Sequence, residues 1–309
     1  MMEPMTLMAV LFIGQTWTVP SPSERCPSRW GAEDERGSAN HMGPASVLRA
    51  TELIRTGDVI ELAHVLSADM PLLGTRRFDL HTKRTTMNPQ SNRRGSNEEL
   101  VVAEIGQVGT QFDGFAHQTH EDRWYNCIPV SENATRNGFT RLGIENVGML
   151  MTRGVLLDIA GLKGVAILPD DYEITVSDLE AALSRQNLEL MPGDAVLIHT
   201  GWGTLWAKDN PRYVKGCPGI GITAAEWLAK QDPMILGSDN WPVEIAPNPD
   251  PELSLPVHQI ALVVNGIHLL ENMKLDELAA KGVHEFAFVI QPLKLQGGTG
   301  STVSPVAIR

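Results

Sequence analysis

The 309-residue sequence lacks the features that mark a membrane protein or a nucleic-acid-binding protein. It contains no apolar run of about 18 residues, the length that a transmembrane helix needs, so no membrane partner is expected. Positive charge is scarce, because 25 Lys and Arg stand against 37 Asp and Glu and leave a net charge of -12. Phosphate backbones repel such a surface, which argues against nucleic acid as a partner.

Cysteine is also scarce, and several common catalytic motifs are missing. Cys26, Cys127 and Cys217 are odd in number and widely separated, which predicts free thiols rather than a disulfide framework or a zinc knuckle. The sequence contains no Gly-x-Ser-x-Gly nucleophile elbow, no His-Glu-x-x-His helix and no Walker loop. The glycine-rich stretch 216–221 lacks the strand-then-helix context of a dinucleotide site and is predicted to be a loop.

The first 44 residues differ in composition from the rest of the chain. Residues 5–13 are apolar like a signal-peptide core, but no Lys or Arg precedes them and no small-residue cleavage site follows. Residues 19–46, rich in Pro, Ser, Gly and charge, predict a disordered linker. We therefore predict a disordered leader or signal-like segment over 1–44 and a folded domain over 45–309. Cytoplasmic location is expected, with secretion or periplasmic export as the alternative. A start codon assigned too early, with Met42 the better beginning, would explain the same residues.

The hydrophobic periodicity of the remaining chain predicts a mixed α/β domain with more strand than helix. Strands are predicted over 59–65, 100–105, 154–159, 194–199, 234–238 and 285–292, and helices over 46–55, 177–185, 223–230, 255–264 and 275–281. Capping-box patterns at 177–180 and 223–226 predict where two of these helices begin. The polar stretch 72–99, which contains several arginines, predicts a long solvated loop or an arm over a neighbouring subunit.

The stretch Gln-Val-Gly-Thr-Gln-Phe-Asp-Gly-Phe-Ala-His at 107–117 concentrates polar side chains beyond a predicted strand. Asp113 and His117 are of the types that bind a divalent metal or transfer a proton, and four residues apart they can do both from one loop. The structural alternative is that Asp113 caps turn amides and His117 is hydrogen-bonded in the core. His258 and Glu271 are further candidates for the site, provided that the fold brings them close to Asp113.

Residues 107–117 resemble the signature His-x-Gly-Thr-His-x-Asp-x-Pro-x-His of the cyclase family of metal-dependent hydrolases. That family includes kynurenine formamidase, isatin hydrolase and a trans-dienelactone hydrolase. Supporting stretches lie at 56–62, 193–202, 237–241, 256–258 and 297–308. The resemblance implies a single domain with a mixed β-sheet, a barrel-like core of the swivelling β/β/α type and a few peripheral helices. It also implies a homo-oligomer, either a dimer or a tetramer.

The resemblance implies a role for each matching residue. Asp113 stands at the position of a metal ligand, and His117 at the position of the proton-transfer residue. His258 and Glu271 match, in order and approximate spacing, residues that line the site and bind a second metal in two-metal members. One or two divalent ions, zinc or manganese, are therefore expected as the cofactor.

Three positions depart from the family signature, two of them at the metal site. Gln107 and Gln111 replace the two signature histidines, and Phe115 replaces the proline. A neutral amide oxygen does not favour zinc as imidazole does, so this metal position is expected to be weak, to prefer manganese or magnesium, or to be empty. Asp113, His258 and Glu271 still provide a ligand shell for one ion.

The expected reaction is hydrolysis of a small cyclic amide, lactone or formamide. The metal would activate water, His117 would act as general base and then general acid, and Thr110 would bind the oxyanion. Substrate-binding walls are predicted from Phe112, Phe115, His120, Trp124, Tyr125 and Trp202. Two alternatives stay open, a metal-independent lyase or isomerase that uses His117 and a non-catalytic protein that binds a small molecule.

Overall fold

The computed structural model describes residues 16–84, 88 and 90–309. The strands in this part of the chain are β1 (Val59–Glu61), β2 (Phe78–Arg84), β3 (Asn97–Ala103), β4 (Gln111–Asp113), β5 (Ala134–Thr135), β6 (Gly138–Phe139), β7 (Leu150–Asp158), β8 (Glu173–Ile174), β9 (Ala195–His199), β10 (Gly219–Ile220), β11 (Ile235–Ser238), β12 (His268–Glu271), β13 (Glu285–Ile290), β14 (Gly300–Thr302) and β15 (Val306–Ile308).

The α-helices of the same residues are short. They are α1 (Pro22–Arg25), α2 (Pro44–Thr51), α3 (Val130–Asn133), α4 (Ile159–Lys163), α5 (Val176–Gln186), α6 (Asn210–Lys215), α7 (Ile222–Lys230), α8 (Pro256–His258) and α9 (Asp276–Ala280). A π-helix over Gln259–Asn265 continues α8. Single 3-10 turns lie at Gly37–His41, Tyr125–Cys127, Ile144–Asn146 and Trp202–Leu205.

Nine of these strands form one curled, mixed sheet in the order β1-β15-β13-β7-β9-β11-β12-β4-β14. Its centre is parallel, because β7 pairs with β9, β9 with β11 and β11 with β12 in the same direction. The next strand, β4, runs antiparallel to β12. The carboxyl ends of the parallel strands therefore meet at one edge, where ligands commonly bind in α/β sheets. The predicted α/β domain with a mixed, barrel-like sheet is confirmed.

The central strands are buried on both faces, which explains their nearly continuous apolar sequences. Along β9, Val196 and Ile198 belong to one hydrophobic cluster, whereas Ala195 and Leu197 belong to another on the opposite face. Helix α5 packs Leu179 and Leu183 into the first cluster, and α9 packs Leu278 into the second. The sheet is thus a layer between two cores, which holds its carboxyl edge rigidly.

The stretch predicted as a long loop contains half of a β-hairpin. Strand β2 pairs antiparallel with β3 from Phe78 opposite Ala103 to Arg84 opposite Asn97. Both strands are mostly exposed, including their apolar side chains Leu80 and Leu100. Because neither face is buried, the hairpin lacks the apolar–polar alternation by which a half-buried strand is recognised.

The capping-box patterns predicted the helices but not the residues at which they begin. Helix α5 is capped by Thr175, whose hydroxyl accepts from the Asp178 amide at 3.3 Å, two residues before the predicted start. The Asp178 carboxylate accepts from the Thr175 amide at 3.0 Å and completes the box. Helix α7 begins after Gly221 without a side-chain cap, so Thr223 lies inside the helix.

Residues 19–46 are packed against the sheet, which differs from the disordered linker that their composition predicts. Ser38 is buried, and its hydroxyl donates to the carbonyl of Met234 at 2.7 Å. The Asn126 side chain accepts from the Ser28 amide at 2.8 Å and donates to the carbonyl of Gly31 at 2.9 Å. Pro, Gly and Ser favour turns and irregular backbone, which a folded segment held by long-range hydrogen bonds also contains, so composition alone predicted the wrong state here.

The apolar stretch 5–13, with its resemblance to a signal peptide, lies outside the described residues. None of the helices found among the described residues combines the length and the apolar character that crossing a bilayer requires.

A disulfide joins two of the three cysteines that were predicted to be free thiols. Cys26 is bonded to Cys127, with their Cα atoms 6.0 Å apart and a sequence separation of 101. Cys217 is free and buried. The prediction was wrong for this pair because a separation of that length leaves no local spacing pattern. The bond ties the N-terminal segment to the loop that follows residues 107–117.

Replacing both Cys26 and Cys127 by serine is expected to lower the free energy of unfolding by about 2–4 kcal/mol, because the bond closes a long loop in the unfolded chain. Urea unfolding of the two proteins measures the difference. Reductant should destabilise the wild-type protein and leave the double variant unchanged, and Cys217, present in both, controls for other effects of the reductant. Equal stability of the oxidised proteins would contradict the expectation.

Candidate metal centre

Four of the predicted site residues meet at one point beside the sheet edge. Asp113 ends β4, His117 follows in the next turn, His258 ends α8 and Glu271 ends β12. The Asp113 Oδ2 atom lies 3.9 Å from His117 Nε2 and 3.9 Å from His258 Nε2. His258 Nε2 lies 3.1 Å from Glu271 Oε1. The fold therefore brings His258 and Glu271 close to Asp113, as their selection as candidates requires.

Strand pairing and one glycine place Asp113 and His117. The register of β4 on β12 sets Gln111 opposite Glu271 and Asp113 opposite Leu269. After the strand, the Gly114 amide donates to the carbonyl of Thr299 at 2.9 Å, and a Cβ atom on residue 114 would lie 2.9 Å from that oxygen. Glycine is therefore needed for the close approach. The chain then turns and brings His117 back towards Asp113.

Glu244, which the sequence analysis missed, fixes the imidazole of His258. Its carboxylate accepts from His258 Nδ1 at 2.7 Å, from the His258 amide at 3.0 Å and from the Val257 amide at 3.0 Å. The bond at Nδ1 leaves Nε2 directed to Asp113 and Glu271. A carboxylate that holds the far nitrogen of a metal-binding histidine is typical of metal sites. A single Glu in a proline-containing loop carries no motif from which this role could be predicted.

The buried charges of the cluster favour a cation. Burial raises the pKa of Glu271 to about 7, and the neighbouring Asp113 carboxylate adds to this effect. Burial alone would lower the pKa of His258, but hydrogen bonds to Glu244 and Glu271 raise it well above the usual value. Three carboxylates thus share a buried region with one imidazole. A bound proton or divalent ion relieves their repulsion.

The donor atoms of the cluster fit a divalent metal. Asp113 Oδ2 is buried and has no hydrogen-bond partner among the described residues, and an unpaired buried acceptor is costly. One ligand atom each from Asp113, His117 and His258 lie within 4.8 Å of one another. Carboxylate oxygen and imidazole nitrogen together suit zinc or manganese.

Gln107 and Gln111, the two glutamines predicted at the metal site, form a hydrogen-bonded amide network. Gln107 Nε2 donates to Asp113 Oδ1 at 3.0 Å, and Gln107 Oε1 accepts from Arg76 at 3.0 Å and from Gln111 Nε2 at 3.3 Å. Gln111 Nε2 also donates to Glu271 Oε2 at 2.6 Å. The amide oxygen of Gln107 is therefore already occupied by two donors. Gln111 Oε1 is buried and has no partner among the described residues.

A small cavity of about 140 Å³ opens onto the cluster. Its walls are partly polar and partly apolar, and the lining residues are Leu73, Arg76, Gln107, His117, Gln118, Trp241, Pro242, Leu255, His258 and Glu271. Leu73 and Arg76 were not predicted as site residues because they belong to the stretch predicted as a solvated loop. Trp241, Pro242 and Leu255 were not predicted because ordinary core residues have the same types and spacing.

The aromatic side chains predicted as substrate walls lie in the hydrophobic core, and that prediction is corrected. They are Phe112, Phe115, Trp124, Tyr125 and Trp202, each buried. Phe112 alternates with Gln111 and Asp113 along β4, so it faces away from the cluster. Phe115 stacks on His268 with ring centroids 4.2 Å apart. Aromatic residues near a motif therefore indicated packing rather than binding.

Two further predicted site residues, Thr110 and His120, form hydrogen bonds outside the cavity. The Thr110 hydroxyl donates to the carbonyl of Asn272 at 2.6 Å and accepts from the His64 amide at 3.0 Å. Its proton is thus already used, which argues against the predicted oxyanion role. His120 exchanges backbone hydrogen bonds with Arg123 in a tight turn and does not line the cavity.

The family model described as a putative cyclase matches residues 60–245, more than half of the chain. The chain belongs to the cyclase family. The resemblance inferred from residues 107–117 is therefore confirmed. No match is found among curated proteins.

Solved structures agree with this assignment. The chain is similar to a crystal structure of a novel cyclase, with 31% identity, a TM-score of 0.81 and coverage of 91% of this chain and 98% of that chain. Isatin hydrolase A from Ralstonia solanacearum shares the fold, at 22% identity, a TM-score of 0.59 and coverage of 86% and 95%. A predicted metal-dependent hydrolase from Bacillus stearothermophilus shares it at 19% identity, a TM-score of 0.52 and coverage of 82% and 98%.

A second histidine–carboxylate group lies at the same sheet edge, outside the cavity. His199 ends β9, and its Nδ1 atom lies 2.7 Å from Asp158 Oδ1 at the end of β7. Its Nε2 atom lies 3.8 Å from Asp239 Oδ2. Burial alone would lower the pKa of His199, but the Asp158 hydrogen bond and the Asp239 charge raise it above the usual value.

The variant Asp158→Asn is expected to lose more stability at pH 5.5 than at pH 9. Because the folded pKa of His199 is raised, its stabilisation is complete below the unfolded value of about 6.5 and is lost as the pH rises through the folded pKa. Asparagine keeps an oxygen that can accept from the Gly161 amide at the start of α4. Urea unfolding at several pH values measures the difference, and a difference independent of pH would contradict the expectation.

Proposed function

We propose that this protein is a hydrolase that depends on a divalent metal and cleaves a small cyclic amide, lactone or formamide. The observation that carries the proposal is Asp113 Oδ2, which is buried, unpaired among the described residues and 3.9 Å from two imidazole nitrogens. Membership of the cyclase family supports the proposal. The fold shared with an isatin hydrolase and a predicted metal-dependent hydrolase is consistent with it.

Asp113, His258 and Glu271 are the residues that would hold one ion, zinc or manganese. When bound, such an ion polarises a carbonyl group and lowers the pKa of water. Glu244 orients His258 through its Nδ1 hydrogen bond, and Gln107 orients Asp113 through Oδ1. These two hydrogen bonds leave His258 Nε2 and Asp113 Oδ2 available to bind the ion.

His117 is the proposed general base. Burial lowers its pKa, so the imidazole is neutral near pH 7 and can accept a proton. It takes the proton of the attacking water and returns it to the leaving nitrogen or oxygen. The bond between the carbonyl carbon and that atom breaks, and a carboxylic acid forms. Gln118 Nε2, 3.3 Å from His117 Nε2, lies beside the same nitrogen at the cavity wall.

A metal-independent lyase or isomerase is the second candidate. The amide network of Gln107 and Gln111 favours it, because these residues stand where the family signature has two histidine ligands. His117 would then transfer protons without an ion. A chelator would abolish the hydrolase activity and spare this one. A non-catalytic protein that binds a small molecule is the third alternative, and it would tolerate His117→Ala without loss of ligand affinity.

The assembly and the location of the protein are also proposals. A homo-oligomer, dimer or tetramer, is expected from the family resemblance, with a small-molecule substrate as the partner. The disulfide between Cys26 and Cys127 supports secretion or export over the cytoplasm, because such bonds persist in oxidising compartments.

Protein purified without a histidine tag is expected to contain zinc or manganese in near-stoichiometric amount, and Asp113→Asn and His258→Ala are expected to lose it. Elemental mass spectrometry measures the content. His120→Ala is the matched control, since His120 lies near the cluster but outside the cavity, and it should keep the metal. A wild-type protein that stays free of metal after incubation with zinc or manganese would contradict the hydrolase proposal.

Once a screen of lactones and cyclic amides has found a hydrolysed substrate, His117→Ala is expected to lower kcat by about 10²- to 10⁴-fold, the usual contribution of a general base. Its metal content should stay at the wild-type level. His120→Ala should keep kcat within about twofold, as expected for a residue that makes no contact in the transition state. Loss of the metal from His117→Ala would show that His117 is a ligand rather than the base.

A further inference from the structure

Arg76 is a cation of the cavity wall without an acidic partner. It lies in the turn before β2, and one of its N–H groups donates to Gln107 Oε1 at 3.0 Å. No carboxylate of the described residues lies within ion-pair distance of its guanidinium, whereas the adjacent Arg77 pairs with Asp79 at 3.9 Å. A guanidinium has five N–H donors, so most of the donors of Arg76 have no protein partner among these residues.

Trp241 is a second wall residue with an unused donor. Its indole Nε1 is buried and has no hydrogen-bond partner among the described residues. A buried N–H group without an acceptor is unfavourable, and native proteins usually pair it with protein, water or ligand. Arg76 and Trp241 both line the cavity, and both carry N–H donors that have no acceptor among the described residues. Arg76 therefore offers donors to a ligand that supplies acceptor oxygens.

We propose that the substrate carries a carboxylate group and that Arg76 binds it, which makes Arg76 a specificity-determining residue. Guanidinium groups bind carboxylates through two parallel hydrogen bonds. The net charge of -12 repels anions at long range, so an anionic substrate needs a local cation. Leu73, Pro242 and Leu255 supply apolar wall for its hydrocarbon part.

The cavity volume limits the size of this acid. About 140 Å³ is close to the ~150 Å³ of an engineered apolar cavity that takes up benzene. The substrate is therefore a one-ring or short-chain acid. In the reaction of the proposed function, one water is consumed, the C–N or C–O bond breaks, and a second carboxylate forms together with an amine or an alcohol. The inference rests on the proposed function for this chemistry, whereas binding of the acid does not require the metal.

A purely structural role for Arg76 makes a different prediction. Its positive charge lies near Glu271 and His117 and would offset the buried carboxylates of the cluster. In that case, loss of the charge would disturb the site for anionic and neutral ligands alike. If Arg76 instead recognises the carboxylate, loss of its charge would weaken binding of the anionic ligand selectively.

The test compares benzoate with the neutral isostere benzamide, and propionate with propionamide, by calorimetry on the protein as purified and, in parallel, on protein stripped of metal with a chelator. We expect wild-type protein to bind at least one acid about tenfold or more tightly than its amide, as a hydrogen-bonded charge pair predicts. Arg76→Gln should lose this preference while amide binding stays within about twofold. Arg77→Gln is the matched control and should behave as wild type.

Absence of any preference for the acids in wild-type protein, or of any binding of them, would overturn the inference. Equal weakening of acid and amide binding in Arg76→Gln would do the same. Arg76→Lys, which keeps the charge but not the paired hydrogen bonds, should retain part of the preference and guards against misfolding of the glutamine variant. Elemental analysis tests the hydrolase proposal separately, because metal-stripped protein that selects acids would keep this inference even if no metal ever binds.

Discussion

The antiparallel pairing of β4 with β12 is the constraint on which the rest of the site depends. It joins two segments about 160 residues apart, setting Gln111 opposite Glu271. Side chains alternate along a strand, so Gln111 and Asp113 share one face and Phe112 takes the other. A slip of one residue would place Phe112 in the cluster and bury Asp113 in the apolar core. The packing of both faces of the sheet prevents that slip.

The site that results places more negative charge in the interior than the protein can easily accommodate. Glu244 is compensated by His258 and two backbone amides, and Gln107 and Gln111 donate to Asp113 and Glu271. These bonds offset only part of the unfavourable energy, because burial first, and then the neighbouring Asp113 carboxylate, still raise the pKa of Glu271. The arrangement therefore has a built-in affinity for positive charge.

The sequence predicted the residues of this cluster better than their surroundings. Asp113 and His117 lie in one short motif, which local spacing can reveal. Their approach to His258 and Glu271 depends on strand pairing, which spacing cannot show. Glu244 and Arg76 were missed because each acts through a contact with a residue distant in sequence. The Cys26–Cys127 bond was missed for the same reason, and the β2–β3 hairpin because its exposed strands have no apolar face.

The hydrogen bond from Gln107 to Asp113 has a consequence for ion discrimination. Since Oδ1 accepts from the amide, Oδ2 is the Asp113 oxygen without a hydrogen-bond partner among the described residues, which favours monodentate over bidentate coordination. Calcium requires about six to eight oxygen ligands, often with carboxylates that bind through both oxygens. The proposed shell of Asp113, His258 and Glu271 supplies fewer oxygens than that, and Glu271 Oε2 already accepts from Gln111. One amide hydrogen bond would therefore help the centre to select a transition metal over calcium.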